Sequence, residues 1–163
     1  MQQAKRLDAL RTLAEGRLRD WRGLPPGCTR AEAEQAFGSS GQGPDGAAML
    51  GGTLMAFRRY PPARGAPHGL TVWYAGDRIW AVEINAPHLE EPLARSLGAP
   101  DSEGQSMLGV TRTHRIFAAR GLAAHLRRNT EEVLRLYAFE PTSLENYLRS
   151  PLAHVEERRV PLR

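Results

Sequence analysis

Five histidines, one cysteine and eighteen acidic residues are the side chains of this 163-residue chain that could carry acid–base, nucleophilic or metal chemistry. The histidines, His68, His88, His114, His125 and His154, fall in five separate segments, and no His-Glu-x-x-His helix places two of them on one face. Cys28 is the sole cysteine, so neither an internal disulfide nor a cysteine-rich zinc shell can form. No metal ion and no cofactor is expected. A thiol at a helix start has its pKa lowered, which would suit a nucleophile, yet Cys28 directly precedes a capping threonine and fits better as a small apolar staple. The chain has no Gly-x-Ser-x-Gly elbow, and Gly41-Gln42-Gly43 lacks the Gly-Lys-Ser/Thr ending of a phosphate loop.

Two carboxylates, Asp101 and Glu103, fall in a loop, while Glu83 stands in an extended run with Trp80, Val82 and Ile84. Side chains alternate along a strand, so Glu83 points away from those three and is expected to face solvent. His125, flanked by Ala124 and Leu126, follows the same logic. A histidine and a carboxylate on an open sheet face suit a recognition surface better than a dry catalytic pocket. The expectation is a protein that is not an enzyme.

The elements that position these residues emerge from the hydrophobic pattern. At 41% apolar and 25% charged, residues 1–163 have the balance of one globular domain. No apolar run approaches the ~20 residues of a membrane span, and Met1 leads into Gln2, Lys5, Arg6 and Asp8 rather than a hydrophobic signal segment. A cytoplasmic protein with no membrane contact is therefore expected. The 22 basic against 18 acidic residues give +4, and Lys5 is the only lysine. This arginine-rich usage fits a GC-rich bacterial genome. The pairs Arg58-Arg59, Arg127-Arg128 and Arg158-Arg159 are scattered among acidic neighbours, which disfavours nucleic acid as a partner.

An amphipathic helix is expected from about residue 3 to 20, with Leu7, Leu10, Ala14, Leu18 and Trp21 along one side. A second begins at the capping box Thr29-Arg30-Ala31-Glu32 and stops at Gly38. Ser39 to Gly52 reads as a Gly-rich loop. Extended segments follow at Thr53 to Tyr60, Leu70 to Tyr74 and Ile79 to Ile84. The last two flank a Gly76-Asp77 turn that places Trp73 opposite Trp80 and Tyr74 opposite Ile79.

The second half repeats the plan. A helix over Pro87 to Leu97 ends at Gly98, and segments at Arg112 to Ala118, Leu122 to Leu126 and Val133 to Phe139 follow, with Asn129-Thr130 near the final turn. Phe37-Gly38 matches Leu97-Gly98, Met49-Leu50-Gly51 matches Met107-Leu108-Gly109, Gly69-Leu70 matches Gly121-Leu122, and Ala86-Pro87 matches Glu140-Pro141. Pseudo-repeats at 24–86 and 87–141 would pool their strands into one core. Thr142-Ser143-Leu144-Glu145 signals a final helix as a second capping box, with Leu144, Tyr147 and Leu148 on one side. The tail from Glu156-Glu157-Arg158-Arg159 onward is expected to add an edge segment or to cross the sheet.

Gly27-Cys28-Thr29-Arg30, a helix and then Gly38 resemble the Gly-x-Thr-Arg helix and closing glycine of the β-lactamase-inhibitor-protein-like modules, related in architecture to small outer-membrane assembly lipoproteins. The resemblance implies helices on an antiparallel sheet, modules in tandem, and a concave sheet that binds a protein. The second half has no Gly-x-Thr-Arg opening and the chain has no paired cysteines, so the shape and the protein-binding habit are what carry over.

The expected fold is α+β: a tandem αβββ repeat forming one antiparallel sheet of about six strands, helices packed on one face, and further helices at both ends. The expected function is a non-enzymatic bacterial protein-binding module, such as an immunity or inhibitor protein acting on a toxin or enzyme. Trp73, Tyr74, Arg78, Trp80, Arg58 and Arg59 are the candidate partner-binding residues, because aromatic and arginine side chains anchor such surfaces. The alternative is a small-ligand-binding protein or enzyme with a pocket between helices and sheet.

Overall fold

A computed structural model describes residues 2–38 and 46–155; the Gly41-Gln42-Gly43 segment and the tail from Glu156 lie outside them. Helix α1 (Gln2–Ala14) and helix α2 (Arg30–Phe37) precede four strands, β1 (Gly46–Leu50), β2 (Thr53–Tyr60), β3 (Leu70–Ala75) and β4 (Arg78–Asn85). Helix α3 (Leu93–Leu97) leads into β5 (Ser102–Gln105), β6 (Arg112–Phe117), β7 (Leu122–Arg127) and β8 (Val133–Phe139), and helix α4 (Leu144–Arg149) and a 3-10 turn (Pro151–His154) follow. The fold is α+β. All eight strands form one antiparallel sheet in the order β1-β2-β3-β4-β8-β7-β6-β5. Two four-stranded meanders thus meet through their last strands, with Ala81 opposite Phe139, Glu83 opposite Tyr137 and Asn85 opposite Arg135.

Each half supplies four strands rather than three, and the additions are the two sheet edges. Strand β1 lies within the stretch read as a loop, and β5, Ser-Glu-Gly-Gln, has no apolar residue to announce it. Its pairing comes from backbone contacts to β6, Ser102 opposite Ile116 through Gln105 opposite Thr113.

The capping box of α2 is formed: Glu32 N donates to Thr29 Oγ1 at 3.2 Å and Thr29 N to Glu32 Oε1 at 3.0 Å. Arg6 of α1 adds a bond to the same carboxylate at 2.8 Å, which ties the two helices together. Helix α1 ends at Ala14 instead of near residue 20. Gly16, at φ 74°, turns the chain where a side chain would lie 2.3 Å from the His88 carbonyl, so three backbone segments meet there at glycine-only distance. Leu18 and Trp21 are still buried, at 2% and 1% exposure, in the irregular segment beyond.

Helix α3 is shorter than the expected Pro87 to Leu97 for a related reason. The amides of His88 and Glu90 are spent on the carbonyls of Gly65 and Gly16, both at 3.0 Å, and Pro92 has no N–H to donate. The cap of α4 is displaced by one residue: Ser143 Oγ accepts from Asn146 N at 3.1 Å, and Leu148 faces solvent while Tyr147 is buried.

Both sheet faces carry core. Helices α1 to α3 cover the first face, where Leu10, Leu13, Trp21, Phe37 and Leu93 pack on Val72, Val82, Ile84, Leu122, Ala124 and Leu136. Helix α4 and the 3-10 turn cover part of the second, where Tyr147, Leu152 and Val155 join Trp73, Ala81, Ala123, Tyr137 and Phe139. The two-residue Gly76-Asp77 turn forms, with Ala75 opposite Arg78 and Tyr74 opposite Ile79. The Trp73–Trp80 pair does not: the register shifts between Trp73 and Tyr74, and Trp73 lies opposite Ala81. Trp80 is the extra residue of this bulge, so the two indoles separate.

Because one continuous sheet carries both cores, Leu93→Ala is expected to destabilise the whole chain by about 2 to 5 kcal/mol, the usual cost of emptying a buried leucine site. Denaturant unfolding followed by circular dichroism and by tryptophan fluorescence should give one coincident transition. Two separated transitions would show that the meanders melt independently.

Candidate functional site

On β4 the alternation places Val82 and Ile84 against the helices and Ala81, Glu83 and Asn85 on the second face. Glu83 does point away from its apolar neighbours, but it is 1% exposed rather than solvent-facing. Its carboxylate accepts from Trp73 Nε1 at 3.1 Å and from Asn85 Nδ2 at 3.5 Å. Arg135 on the adjoining β8 donates from Nε to Asn85 Oδ1 at 2.9 Å and so holds the amide turned toward Glu83.

These groups border a hollow of about 410 Å³ over the β1–β4 half of the second face. Phe57 and Trp73 form its aromatic side, with ring centroids 5.3 Å apart and planes tilted by 51°. Glu83 lies at its base, Thr71 and Asn85 also line it, and exposed Arg59 and His68 stand at its rim. The guanidinium of Arg59 sits 5.7 Å from the centre of the Phe57 ring.

Across the seam the second face is closed, and a small polar cluster is buried within its apolar core. His114 and His125, paired across β6 and β7, stack with centroids 4.2 Å apart and planes 17° from parallel. Both are buried, His125 at 1% exposure, so it does not present the open face expected of it. Ser106 Oγ accepts from Leu108 N at 3.0 Å and lies 2.6 Å from His125 Nδ1. Either the hydroxyl or the ring can donate in that contact, and the other ring nitrogen is Nε2. That atom is buried and has no hydrogen-bond partner among the described residues. His114 Nε2 lies 2.7 Å from the Tyr147 hydroxyl, which in turn donates to the Leu152 carbonyl at 3.4 Å. This chain pins α4 and the 3-10 turn to the sheet. Ser106 is 2% exposed, which keeps any substrate from the serine–histidine pair and makes the pair structural.

The six candidate binding residues do not form one patch. Trp73 and Arg59 belong to the hollow. Trp80 is half-buried on the same face beside Phe139, Pro141 and Tyr147. Tyr74 is 2% exposed on the helix side, its hydroxyl bonded to that of Tyr60 and its ring 4.3 Å beneath the Arg30 guanidinium. Arg58 also turns to the helices, 3.3 Å from Glu34, and Arg78 is exposed beside the Gly76-Asp77 turn.

Cys28 is buried, its thiol donating to the Pro25 carbonyl at 3.3 Å. Burial, reinforced by the Glu32 charge, pushes it up to about 11, opposite to the shift a nucleophile needs. Among the described residues no group of three or more His, Cys, Asp or Glu side chains could hold a metal ion, and no helix is long and apolar enough to cross a membrane.

No family model matches the chain, and no curated protein matches it significantly. Among solved structures it is similar to a DUF4309 family protein, YjgB, from Bacillus subtilis, at 13% identity. That match has a TM-score of 0.46 and covers 84% of this chain and 97% of the other.

Burial pulls His114 down to about 4, and burial followed by the charges of His114, Arg135 and Arg112 pulls His125 down to about 2. Below the ordinary value of 6.5 the unfolded chain takes up protons that the folded chain refuses until these lower values are reached. Stability contributed by the pair is thus present above pH 6.5 and declines as pH falls. Urea unfolding at pH 7 and pH 5 should differ by about 2 kcal/mol per histidine. His114→Gln, which keeps a donor for Tyr147 and cannot titrate, is expected to remove about half of that difference.

Proposed function

We propose that this chain is a non-enzymatic protein-binding module that grips its partner through the part of the second sheet face left uncovered by α4. The observation that carries this reading is the hollow itself, an aromatic and arginine-edged concavity built on rigid strands and floored by a carboxylate. Aromatic and arginine side chains in a preformed concavity are the usual energetic anchors of protein interfaces. The buried serine–histidine pair and the raised thiol argue against catalysis by the groups most able to perform it. An immunity or inhibitor protein, acting in the bacterial cytoplasm on a toxin or enzyme, is the class this reading favours.

A nucleic-acid partner fits less well. Arg58 is committed to Glu34, Arg127 to Glu132 at 2.8 Å, and Arg115 to Glu103 and Glu131, so these cations are neutralised locally rather than gathered in a stripe. A small-ligand binder is the second reading, because about 410 Å³ lies within the range of small-molecule sites.

The test is affinity capture from the native lysate, followed by calorimetry with the purified captured protein. Phe57→Glu and Arg59→Glu should each weaken binding by roughly tenfold or more, as expected for interface anchors. Arg78→Glu, at the hairpin turn, should leave affinity within about twofold. A partner indifferent to both substitutions in the hollow, or failure to retain any protein, would sink the proposal.

A further inference from the structure

We infer that α4 and the 3-10 turn form an acid-released cover: when the stacked histidines beneath them take up protons, the cover lifts from the second sheet face while the sheet and the helix-covered core stay folded. His114 and His125 stand on β6 and β7, each of which is hydrogen-bonded to a strand on both sides. Water cannot reach the rings through the sheet without breaking those ladders. Over the rings lies Tyr147 of α4, its centroid 5.6 Å from that of His114 and its hydroxyl 2.7 Å from His114 Nε2, with Leu152 and Val155 in the same core. Both α4 and the turn follow the last strand, so lifting them breaks no strand pairing, and α4 is six residues long.

The closed cluster has no place for a proton. A cationic imidazole carries two N–H donors. In His125 the one at Nδ1 meets Ser106 Oγ at 2.6 Å, but the one at Nε2 would be buried with no hydrogen-bond partner among the described residues, a costly state for a charged group. Stacking at 4.2 Å would also set a second cation against the first. Among the described residues, β6 and β8 bring Arg112 and Arg135 to bear on His125, both positive. The rings of Tyr137 on β8 and Tyr147 on α4 face the pair edge-on, and β5 places Gly104 opposite His114. Other charges are turned elsewhere: Glu83 lies across β8 on β4, Arg127 is bonded to Glu132, and Arg149 to Glu145 on the exposed side of α4. His154 in the turn is exposed and bonded to the Leu148 carbonyl at 3.1 Å.

Once the cover lifts, the two rings meet water and accept protons near the ordinary value of 6.5, whereas beneath it they resist down to about 4 and about 2. From pH 7 to pH 5 each histidine therefore raises the ratio of open to closed molecules by about 25-fold. The open form bares Ala123, Tyr137 and Phe139, the apolar strip against which Tyr147 and Leu152 are packed at neutral pH. The test is a pH titration of the full chain from about pH 7.5 to about pH 4, followed by nuclear magnetic resonance on backbone amides and indole N–H groups. Trp80 borders α4 beside Phe139 and Tyr147, while Trp21 lies in the helix-side core.

The amides of Tyr147 and Leu152 and the Trp80 indole should shift together in one step below about pH 6 that takes up more than one proton, while Trp21 and the amides of Val82 and Leu136 keep their native positions. Tyr147→Phe keeps the ring but loses the bonds to His114 and Leu152, and should move the step to higher pH. His114→Gln with His125→Gln should abolish it; if that double variant does not fold, His114→Gln alone should move the step to lower pH and reduce the proton uptake by one. Absence of any step above about pH 4, or a step in which Trp21 moves with Trp80 as in global unfolding, would overturn the inference. So would a step that survives unchanged in the histidine variants, or one abolished by His154→Gln or by Glu156→Gln with Glu157→Gln, since the trigger would then lie outside the stacked pair.

Discussion

The pairing of β4 with β8 is the contact on which the remaining structure depends. Each meander alone would end in a strand with a full row of unpaired backbone groups and a half-built hydrophobic face. Joining the two last strands removes both edges at once and places Val82, Ile84, Leu136 and Ala138 at the centre of the helix-covered core. The same seam brings Glu83 beside Tyr137 and Asn85 beside Arg135 on the second face. It therefore builds the first core and supplies one wall of the polar interior opposite it.

That polar interior divides the second face into two regimes. On the β5–β8 side, polar groups are shut in: the stacked histidines, Ser106 and Tyr147 form an ordered layer beneath α4, and His125 Nε2 has no hydrogen-bond partner among the described residues. On the β1–β4 side, no helix of the described residues lies over Phe57, Trp73 and Glu83 in the same way. Two of the hydrogen bonds that orient Glu83, from Trp73 and Asn85, come from within the sheet. The second core thus runs across both halves of the face and is hollowed over the β1–β4 half.

Much of this was legible from local chemistry. Thr53 to Tyr60 and Val133 to Phe139 coincide with β2 and β8, and the Thr29 capping box and the Gly76-Asp77 turn form as their residue types require. The four matched dipeptide and tripeptide stations occupy corresponding places: a helix end, the first turn of a meander, the start of its third strand, and the exit from its fourth. What escaped depends on contacts distant in sequence. The edge strand β5 has no apolar periodicity because it buries little, and the truncation of α3 is imposed by amides captured by Gly16 and Gly65. The bulge at Trp80 is a one-residue slip that alternation cannot register. Glu83 and His125 were assigned to the correct side, but their burial comes from how strands and terminal elements pack on that side. A signal for the histidine pair did exist: in a hairpin closed between Phe117 and Leu122, His114 falls opposite His125.

The order in which the chain leaves the ribosome gives the seam a temporal side. Strand β4 is complete at Asn85, yet its partner begins only at Val133. At ordinary rates of synthesis the nascent first meander waits several seconds, with an apolar edge exposed, for a strand about fifty residues away. During that interval the complementary edge is best offered by another nascent copy, since β4 of one chain presents the same surface as β4 of the next. A first meander made before β8 is therefore the species most open to edge-to-edge pairing.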